Sequence, residues 1–122
     1  MAEHLETGMK GEEIALKYLK EKNYVILETN WRSGSNEIDI IAQKEKFMVI
    51  VEVKTRTGKP MLNPEEAVDL NKQRSLIKAA NSYIRLKNVT LETRFDIIGV
   101  IVKGEEYQIN HIVDAFYPRI QR

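Results

Sequence analysis

The spacing of hydrophobic residues along the chain changes repeatedly between the helical period and the strand period, which predicts alternating helices and strands. Helical spacing covers residues 6–22 and 63–87. Strand-like patterns cover residues 23–29, 37–42, 47–54, 94–102 and 107–113. The order of helix, three strands, helix and two strands predicts an α/β fold, in which helices flank a mixed central sheet of about five strands.

Polar segments between these patterns predict where the elements begin and end. The segment "NWRSGSN", residues 30–36, is rich in turn residues and predicts a loop, whereas "QKEK", residues 43–46, predicts a short connection between two strands. Asn63 is a suitable N-cap, because Pro64 fits the first helical position and Glu66 follows three residues after the cap. The second helix is therefore expected to begin at Asn63.

Acidic residues interrupt two of the predicted strands. Asp39 lies between Ile38 and Ile40. Glu52 lies between two valines, and Lys54 follows two positions later. Burying an ionised carboxylate is costly unless a partner or a metal compensates its charge. The positions of Asp39 and Glu52 therefore raise the question of which partner or metal would compensate their charge.

Strand alternation predicts which of these residues share a face of the sheet. A turn of four or two residues within "QKEK" is expected to pair Ala42 with Phe47, or Gln43 with Lys46 in the same register. That register sets Glu37 opposite Glu52 and makes Asp39 a diagonal neighbour of Glu52 on one face. The other face carries the isoleucines that flank Asp39 and the valines of the next strand, so we expect it to be wholly apolar and to form the core.

Gathering like charges on one face of a sheet is destabilising, and a bound divalent cation would remove that cost. Carboxylate and carbonyl oxygens are the ligands that Mg²⁺ prefers, usually with several retained waters. The pattern therefore favours a metal site at Asp39 and Glu52, with Lys54 beside it. The alternative is a set of surface acids on an exposed strand, with Lys54 as their salt-bridge partner.

The first helix supplies one more acid. Glu12 lies at the rim of the apolar stripe of that helix, whereas Glu13 points with lysines into solvent. An acid in an apolar stripe needs a reason. Either Glu12 reaches the carboxylates of the sheet, or its place near the positive end of the helix stabilises it.

Composition excludes several kinds of chemistry. The 122 residues fit a single domain, residues 1–122, and the absence of cysteine excludes disulfides, thiolate zinc sites and cysteine nucleophiles. His4 and His111 fit no metal-binding spacing and are assigned no role. No apolar run approaches the roughly 18 residues of a membrane span, and a cytoplasmic protein is expected. Basic residues predominate between residues 54 and 87, which on charge alone indicates a solvated helix face.

Several short motifs, taken together and in order, carry a resemblance to a known family. They are Gly11-Glu12, Asn30-Trp31-Arg32, Glu37-Ile38-Asp39, Val51-Glu52-Val53-Lys54-Thr55-Arg56, Lys72 and Arg94-Phe95-Asp96. The chain resembles the PD-(D/E)xK nuclease superfamily, which includes type II restriction enzymes and archaeal Holliday-junction resolvases, and more closely the YraN-like family of small bacterial proteins. Asn36 stands where that family usually has glycine, and asparagine also tolerates left-handed turn geometry.

The resemblance implies a restriction-endonuclease-like fold and a Mg²⁺- or Mn²⁺-dependent endonuclease. Its substrate would be DNA, with RNA as the alternative and a structured or branched nucleic acid as one option. Asp39 and Glu52 would ligate the cation together with the Val53 carbonyl, and Glu12 would be a further ligand, direct or through water. Lys54 would orient the attacking water or help to deprotonate it.

The same resemblance assigns supporting roles. Arg32, Arg56 and Lys72 are candidates for phosphate contact, although a solvated helix face explains Lys72 equally well. Glu37 and Asp96 are candidates for supporting the cluster, and Asp96 alternatively pairs with the arginine two residues before it. Branched-DNA resolvases of the superfamily act as dimers, which suggests a homodimer by analogy.

Two functions of other classes stay open. One is a non-catalytic nucleic-acid-binding module with a nuclease-derived fold. The presence of Asp39, Glu52 and Lys54 argues against it, because a decayed site would often have lost one of them. The other is a small interaction protein that docks through the apolar residues of "HIVDAFYPRI", residues 111–120.

Overall fold

The structure, a computed structural model, describes residues 2–58 and 67–118, with side chains from residue 10 onward. Its elements are α1 (Ala2–Glu21), β1 (Val25–Ser33), β2 (Asn36–Lys44), β3 (Phe47–Thr57), α2 (Leu70–Lys87), β4 (Glu92–Lys103) and β5 (Glu106–Phe116). They confirm the predicted α/β fold and are consistent with a restriction-endonuclease-like architecture. Neither α1 nor α2 has the combination of length and apolar character that crossing a membrane requires.

The five strands form one mixed sheet in the order β1-β2-β3-β4-β5. Neighbouring strands are antiparallel except for β3 and β4, which pair in parallel. A parallel pair needs a long crossover connection, and α2 lies in that connection. α2 packs mainly against β2, the neighbour of the strand that carries Glu52.

Each face of the sheet packs against one helix. On one face, Val49 and Val51 of β3 pack with Leu19 of α1. On the other face, Met48 and Ile50 belong to the cluster that includes α2. The predicted alternation along β3 is confirmed, but the core lies on both faces rather than on the valine face alone.

The β1–β2 hairpin is tighter than the sequence predicts. β1 continues to Ser33 and β2 already begins at Asn36. Only Gly34 and Ser35 form the turn, and Gly34 has a φ of 60°, which glycine adopts without strain. The predicted loop over residues 30–36 is wrong, because a two-residue turn lets the polar residues on either side continue the ladder.

α2 begins later than predicted. Asp69 is its N-cap, with extended backbone (φ −70°, ψ 174°) and a carboxylate that accepts the backbone N–H of Lys72 at 2.9 Å. The predicted start, with Asn63, Pro64 and Glu66, lies outside the described residues. A single helix from residue 63 is nevertheless wrong, because the extended residue before α2 interrupts it.

An aromatic contact holds α2 against the sheet. Trp31 of β1 meets Tyr83 of α2 edge to face, with ring centroids 5.2 Å apart. The Tyr83 hydroxyl donates to the Glu28 carboxylate of β1 at 3.2 Å. Trp31 therefore covers the sheet, which is the commoner use of a lone tryptophan in a small domain.

The β2–β3 register differs by two residues from the predicted one. Lys44 pairs with Phe47, and the two-residue turn between them consists of Glu45 and Lys46. The sequence suggested Ala42 opposite Phe47 or, in the same register, Gln43 opposite Lys46. Because side chains alternate with a period of two, a shift of two residues leaves the side chains of β3 on their predicted faces.

β2 departs from regular alternation at Asp39. Ile40 packs in the cluster on the α1 side, whereas Ile38 packs in the cluster on the α2 side. The Val53 N–H donates to Asp39 Oδ2 at 2.8 Å, beyond the last described backbone pair of β2 and β3. The prediction that the two isoleucines share one face is therefore wrong, because β2 leaves the regular ladder at the residue between them.

α1 approaches β3 closely at Gly11. This residue is buried, and a Cβ atom placed on it would overlap the Thr55 hydroxyl of β3. The next residue of α1 is Glu12. The absence of a side chain at Gly11 therefore sets how near Glu12 comes to the sheet.

We expect Gly11→Ala to destabilise the protein by about 1–3 kcal/mol, because the added methyl group overpacks the α1–β3 contact. In an unconstrained helix, alanine is more stable than glycine by up to about 1 kcal/mol, so the sign of the change is informative. Urea unfolding checks this, with Glu13→Ala as an exposed control in the same helix. A gain in stability for Gly11→Ala would contradict the close approach.

Candidate active site

The structure brings Asp39 and Glu52 together where β2 leaves β3. Continuing the β2–β3 register by one residue places Asp39 level with Glu52 rather than diagonal to it. Glu52 is only 5 % exposed, and Asp39 is half-buried. Each of the two carboxyl groups influences the pKa of the other. Both acids therefore contribute to one compact group on the α2 side of the sheet.

Burial changes the protonation of this pair. Desolvation, followed by the charge of Asp39, raises the pKa of Glu52 to about 7. Desolvation also raises the pKa of Asp39, although the hydrogen bond from the Val53 N–H opposes that effect. In the absence of a cation, the pair therefore keeps a proton to higher pH than an exposed carboxyl would.

One oxygen of the pair lacks a partner. Glu52 Oε1 is buried, and no group in the described part of the chain donates a hydrogen bond to it. Most buried polar atoms in folded proteins have a partner, so an exception needs an explanation. A hard cation with carboxylate and water ligands would supply one.

Two lysines approach the other oxygen of Glu52. The ammonium of Lys54 lies 3.9 Å from Glu52 Oε2, and the ammonium of Lys72 lies 3.7 Å from the same atom. Both lysine side chains are 40 % exposed. Desolvation dominates the pKa of both carboxyls, but the charge of Lys72 opposes it in each case. Lys72 is therefore part of the cluster and not of a solvated helix face.

Glu12 lies at the edge of the cluster. It is half-buried on α1, whereas Glu13 is exposed, as the helical pattern predicted. Desolvation first, and then the charges of Asp39 and Glu37, raise the pKa of Glu12. Of the two predicted alternatives for Glu12, its approach to the carboxylates of the sheet is therefore supported.

The remaining candidates lie around this group. Glu37 is not paired with Glu52, because the β2–β3 pairs end at Ile40 and Val51, and its carboxylate pairs with Arg32 at 2.6 Å. The Arg32 side chain is 69 % exposed. Arg56 is half-buried two residues after Lys54 on β3, on the same face. Arg56 therefore extends the basic side of the cluster, whereas Arg32 is engaged by an acid.

The donor set can be compared with what a cation needs. Where side chains are described, no three His, Cys, Asp or Glu residues are grouped as metal ligands. The role of Glu12 as a further ligand, direct or through water, stays a prediction. Two carboxylates with retained waters fit Mg²⁺. Val53 contacts Asp39 through its amide, and the role of its carbonyl as a ligand stays a prediction.

Asp96 does not support the carboxylate cluster. It lies on β4 beside Val51, whose side chain faces α1, while Glu52 belongs to the opposite face. Its carboxylate accepts from Arg94 Nε at 2.9 Å and Nη2 at 2.8 Å. Of the two predicted alternatives, pairing with Arg94 is therefore the one observed.

The Asp96 group also contains a residue that the sequence did not reveal. His111 of β5 lies 2.7 Å from Asp96 through Nε2, and its Nδ1 lies 2.9 Å from the Tyr18 hydroxyl of α1. Burial alone would raise the pKa of Asp96, but hydrogen bonds from His111 and Arg94 outweigh it and lower that pKa. Fifteen residues separate Asp96 from His111, and only the β4–β5 pairing brings them together.

The sequence of the chain is similar to known proteins along most of its length. The model of the family described as "Uncharacterised protein family UPF0102" matches residues 11–100. The chain belongs to the UPF0102 family. UPF0102 proteins of Bacteroides thetaiotaomicron and Flavobacterium psychrophilum are 49 % and 48 % identical to it, over 97 % and 96 % of this chain and 98 % of each relative. A UPF0102 protein of Porphyromonas gingivalis is 45 % identical over 95 % of this chain and 87 % of its own length.

The UPF0102 match confirms the resemblance to the YraN-like family. The matched range contains all the acids and lysines of the cluster and also Asp96, whereas His111 lies beyond it. The names of these UPF0102 relatives specify no activity. The activity therefore has to be inferred from the site itself.

We expect the stability of the metal-free protein to depend on the protonation of Glu52. The pKa of Glu52 is raised from 4.5 to about 7 on folding, so the folded state binds the proton more tightly. Stability from this group is present below about pH 4.5 and is lost as pH rises to about 7. Relative to Glu52→Gln, the wild type should lose on the order of 2–3 kcal/mol over that range.

Urea unfolding of both proteins at several pH values in chelator measures this difference. The comparison with Glu52→Gln removes the contributions of titrating groups that do not interact with Glu52, so the remaining difference belongs to the Asp39–Glu52 pair. A wild-type advantage that grows with rising pH would show that an ionised Glu52 is well compensated without a cation.

We expect Asp96→Ala to destabilise the protein by about 3–5 kcal/mol, because it leaves the Arg94 guanidinium buried without its anion. Mg²⁺ binding should survive in the folded fraction, since Asp96 and Glu52 lie on opposite faces. Chemical unfolding and calorimetric Mg²⁺ titration measure the two effects. Loss of Mg²⁺ binding in a folded Asp96→Ala protein would place Asp96 in the metal site.

Proposed function

We propose that this UPF0102 protein is a Mg²⁺- or Mn²⁺-dependent nuclease that hydrolyses phosphodiester bonds, with DNA as the expected substrate. The observation that carries the proposal is the buried Asp39–Glu52 pair, which has an oxygen without a donor and two lysines beside it. A purely structural acid pair would be expected to have its oxygens satisfied, as those of Asp96 are.

Different residues of the cluster would bind the cation and orient the attacking water. Asp39 and Glu52 would hold the cation, and the Val53 N–H fixes the orientation of the Asp39 carboxylate. When bound, the cation polarises the phosphate and makes water more acidic. Lys54, next to the carboxylates and partly open to solvent, would orient the attacking water and offset charge on the phosphate oxygens. Glu12 would be a further ligand, direct or through water, at the edge of the site.

The same side of the sheet provides the substrate surface. Lys54, Arg56 and Lys72 form a basic group that opens to solvent beside the carboxylates. Phosphate contacts of this kind position nucleic acid without reading its sequence. Arg32 is exposed but is paired with Glu37, so it would contribute only after that pair opens.

A non-catalytic nucleic-acid-binding module is the second candidate. The same basic group favours it, since phosphate binding needs no metal. A cytoplasmic location and a homodimer belong to the proposal as well and stay predictions. Gel filtration with light scattering tests the dimer directly.

We expect the wild-type protein to cleave nucleic acid only when Mg²⁺ or Mn²⁺ is present. Glu52→Ala should abolish cation binding and cleavage together. Lys54→Ala should retain cation binding and lower the cleavage rate by on the order of 10²–10³, the usual cost of one positioned charge-stabilising group. Cleavage of linear and branched DNA and RNA, with and without chelator, provides the measurement, and Lys17→Ala on the far side of α1 is a matched control.

Two results would change the conclusion. Wild-type protein that binds nucleic acid in a salt-dependent way, but never cleaves it with either metal, would favour the non-catalytic module. Wild-type protein that neither binds nor cleaves nucleic acid would favour the hypothesis of a small interaction protein that docks through residues 111–120.

A further inference from the structure

Glu52 is unevenly compensated, and this asymmetry points to a role for Lys72. Both ammonium groups lie near Oε2, at 3.9 Å for Lys54 and 3.7 Å for Lys72, whereas Oε1 has no hydrogen-bond donor within residues 10–58 and 67–118. The two lysines come from different elements, β3 and α2. Two monovalent side chains therefore stand beside the carboxylates where one divalent cation would bind.

Lys72 is placed at an electrostatically unfavourable end of its helix. It lies in the first turn of α2, where the backbone N–H groups carry partial positive charge and where cations are disfavoured. That turn contains no acidic residue, and the N-cap carboxylate of Asp69 accepts the Lys72 backbone N–H. The ion-pair contact described for the Lys72 ammonium is with the Asp39–Glu52 pair, through Glu52.

The two lysines differ in how freely they can leave the carboxylates. Lys54 is two residues from Glu52 on the same strand and face, so its Cα stays near the site. Lys72 instead reaches the site from α2 by its side chain alone, and the two lysine side chains are equally exposed, at 40 % each. A cation at Asp39 and Glu52 would repel both ammonium groups, and only Lys72 belongs to an element other than the strand that carries Glu52.

We propose that Lys72 is an exchangeable internal counterion: it neutralises the Asp39–Glu52 pair in the metal-free protein, and a divalent cation displaces it toward the phosphate of the bound nucleic acid. This inference rests on the proposed function. It makes Lys72 a positioning residue that couples the two ligands. Cation binding releases a basic group for the phosphate, and phosphate binding removes a competitor of the cation, so each ligand strengthens the other.

Metal affinity without nucleic acid gives the first test. Mg²⁺ alone is titrated by calorimetry into wild type, Lys72→Met and Lys78→Met, the last removing an exposed lysine from the same helix. Lys72→Met should bind Mg²⁺ about three- to fivefold more tightly than wild type, the size of effect expected for one half-exposed ion pair. Lys78→Met should match wild type. A residue with a merely structural role would not raise affinity when it is removed.

Binding of an oligonucleotide gives the second test. A short fluorescent DNA duplex is titrated with each protein in chelator and in Ca²⁺, with a denaturing gel to verify that the duplex stays intact. In the wild type, Ca²⁺ should strengthen duplex binding. In Lys72→Met this strengthening should shrink by about three- to fivefold, because thermodynamic coupling acts equally on both ligands. Lys72→Arg should retain most of it.

The outcomes separate the inference from the proposed function. Equal or weaker Mg²⁺ binding by Lys72→Met, or an unchanged strengthening by Ca²⁺, would overturn the exchange while leaving the nuclease proposal standing. Absence of Mg²⁺ binding by the wild type would overturn both.

Discussion

The structure depends on one constraint: two carboxylates are held together in a place with little water. Asp39 and Glu52 meet where β2 leaves the ladder with β3, and Glu52 is almost fully buried. Desolvation and mutual repulsion both disfavour two negative charges there, so the protein must supply a proton, a lysine or a cation. The raised pKa of Glu52 and the two lysines at its Oε2 are consequences of that need.

The opposite face of the sheet carries an acid in a contrasting situation. Asp96 is 1 % exposed, and it is matched by a guanidinium, an imidazole and the backbone N–H of Asp114. This network joins α1, β4 and β5, and both oxygens of Asp96 already have hydrogen-bond donors within the protein. One sheet thus separates a stabilising polar group from an incompletely compensated one, which is the pattern expected when stability and function use different residues.

The predicted bounds of the β1–β2 hairpin and of α2 were wrong because a short turn and a helix cap determine where these elements begin and end. The β1–β2 hairpin turns on Gly34 and Ser35 alone, so residues expected in a loop belong to strands. Asp69 caps α2 six residues after the predicted start, because its side chain bonds the first helical turn. Both outcomes rest on local backbone geometry, to which hydrophobic periodicity is insensitive. Asp39 and Glu52 still meet, since the β2–β3 register moved by two residues and the side chains of β3 kept their predicted faces.

The sequence by itself determined the order of the elements, the mixed sheet and the faces of β3, because alternation and helical spacing are local properties of the chain. It also singled out Asp39, Glu52 and Lys54 as unusual. Only the tertiary structure decided that Lys72 joins them, because the crossover between the parallel strands sets where α2 docks. The same is true of Asp96 and His111, which meet through strand pairing between residues far apart in the chain. Contacts of this kind depend on how elements pack, and no local pattern encodes them.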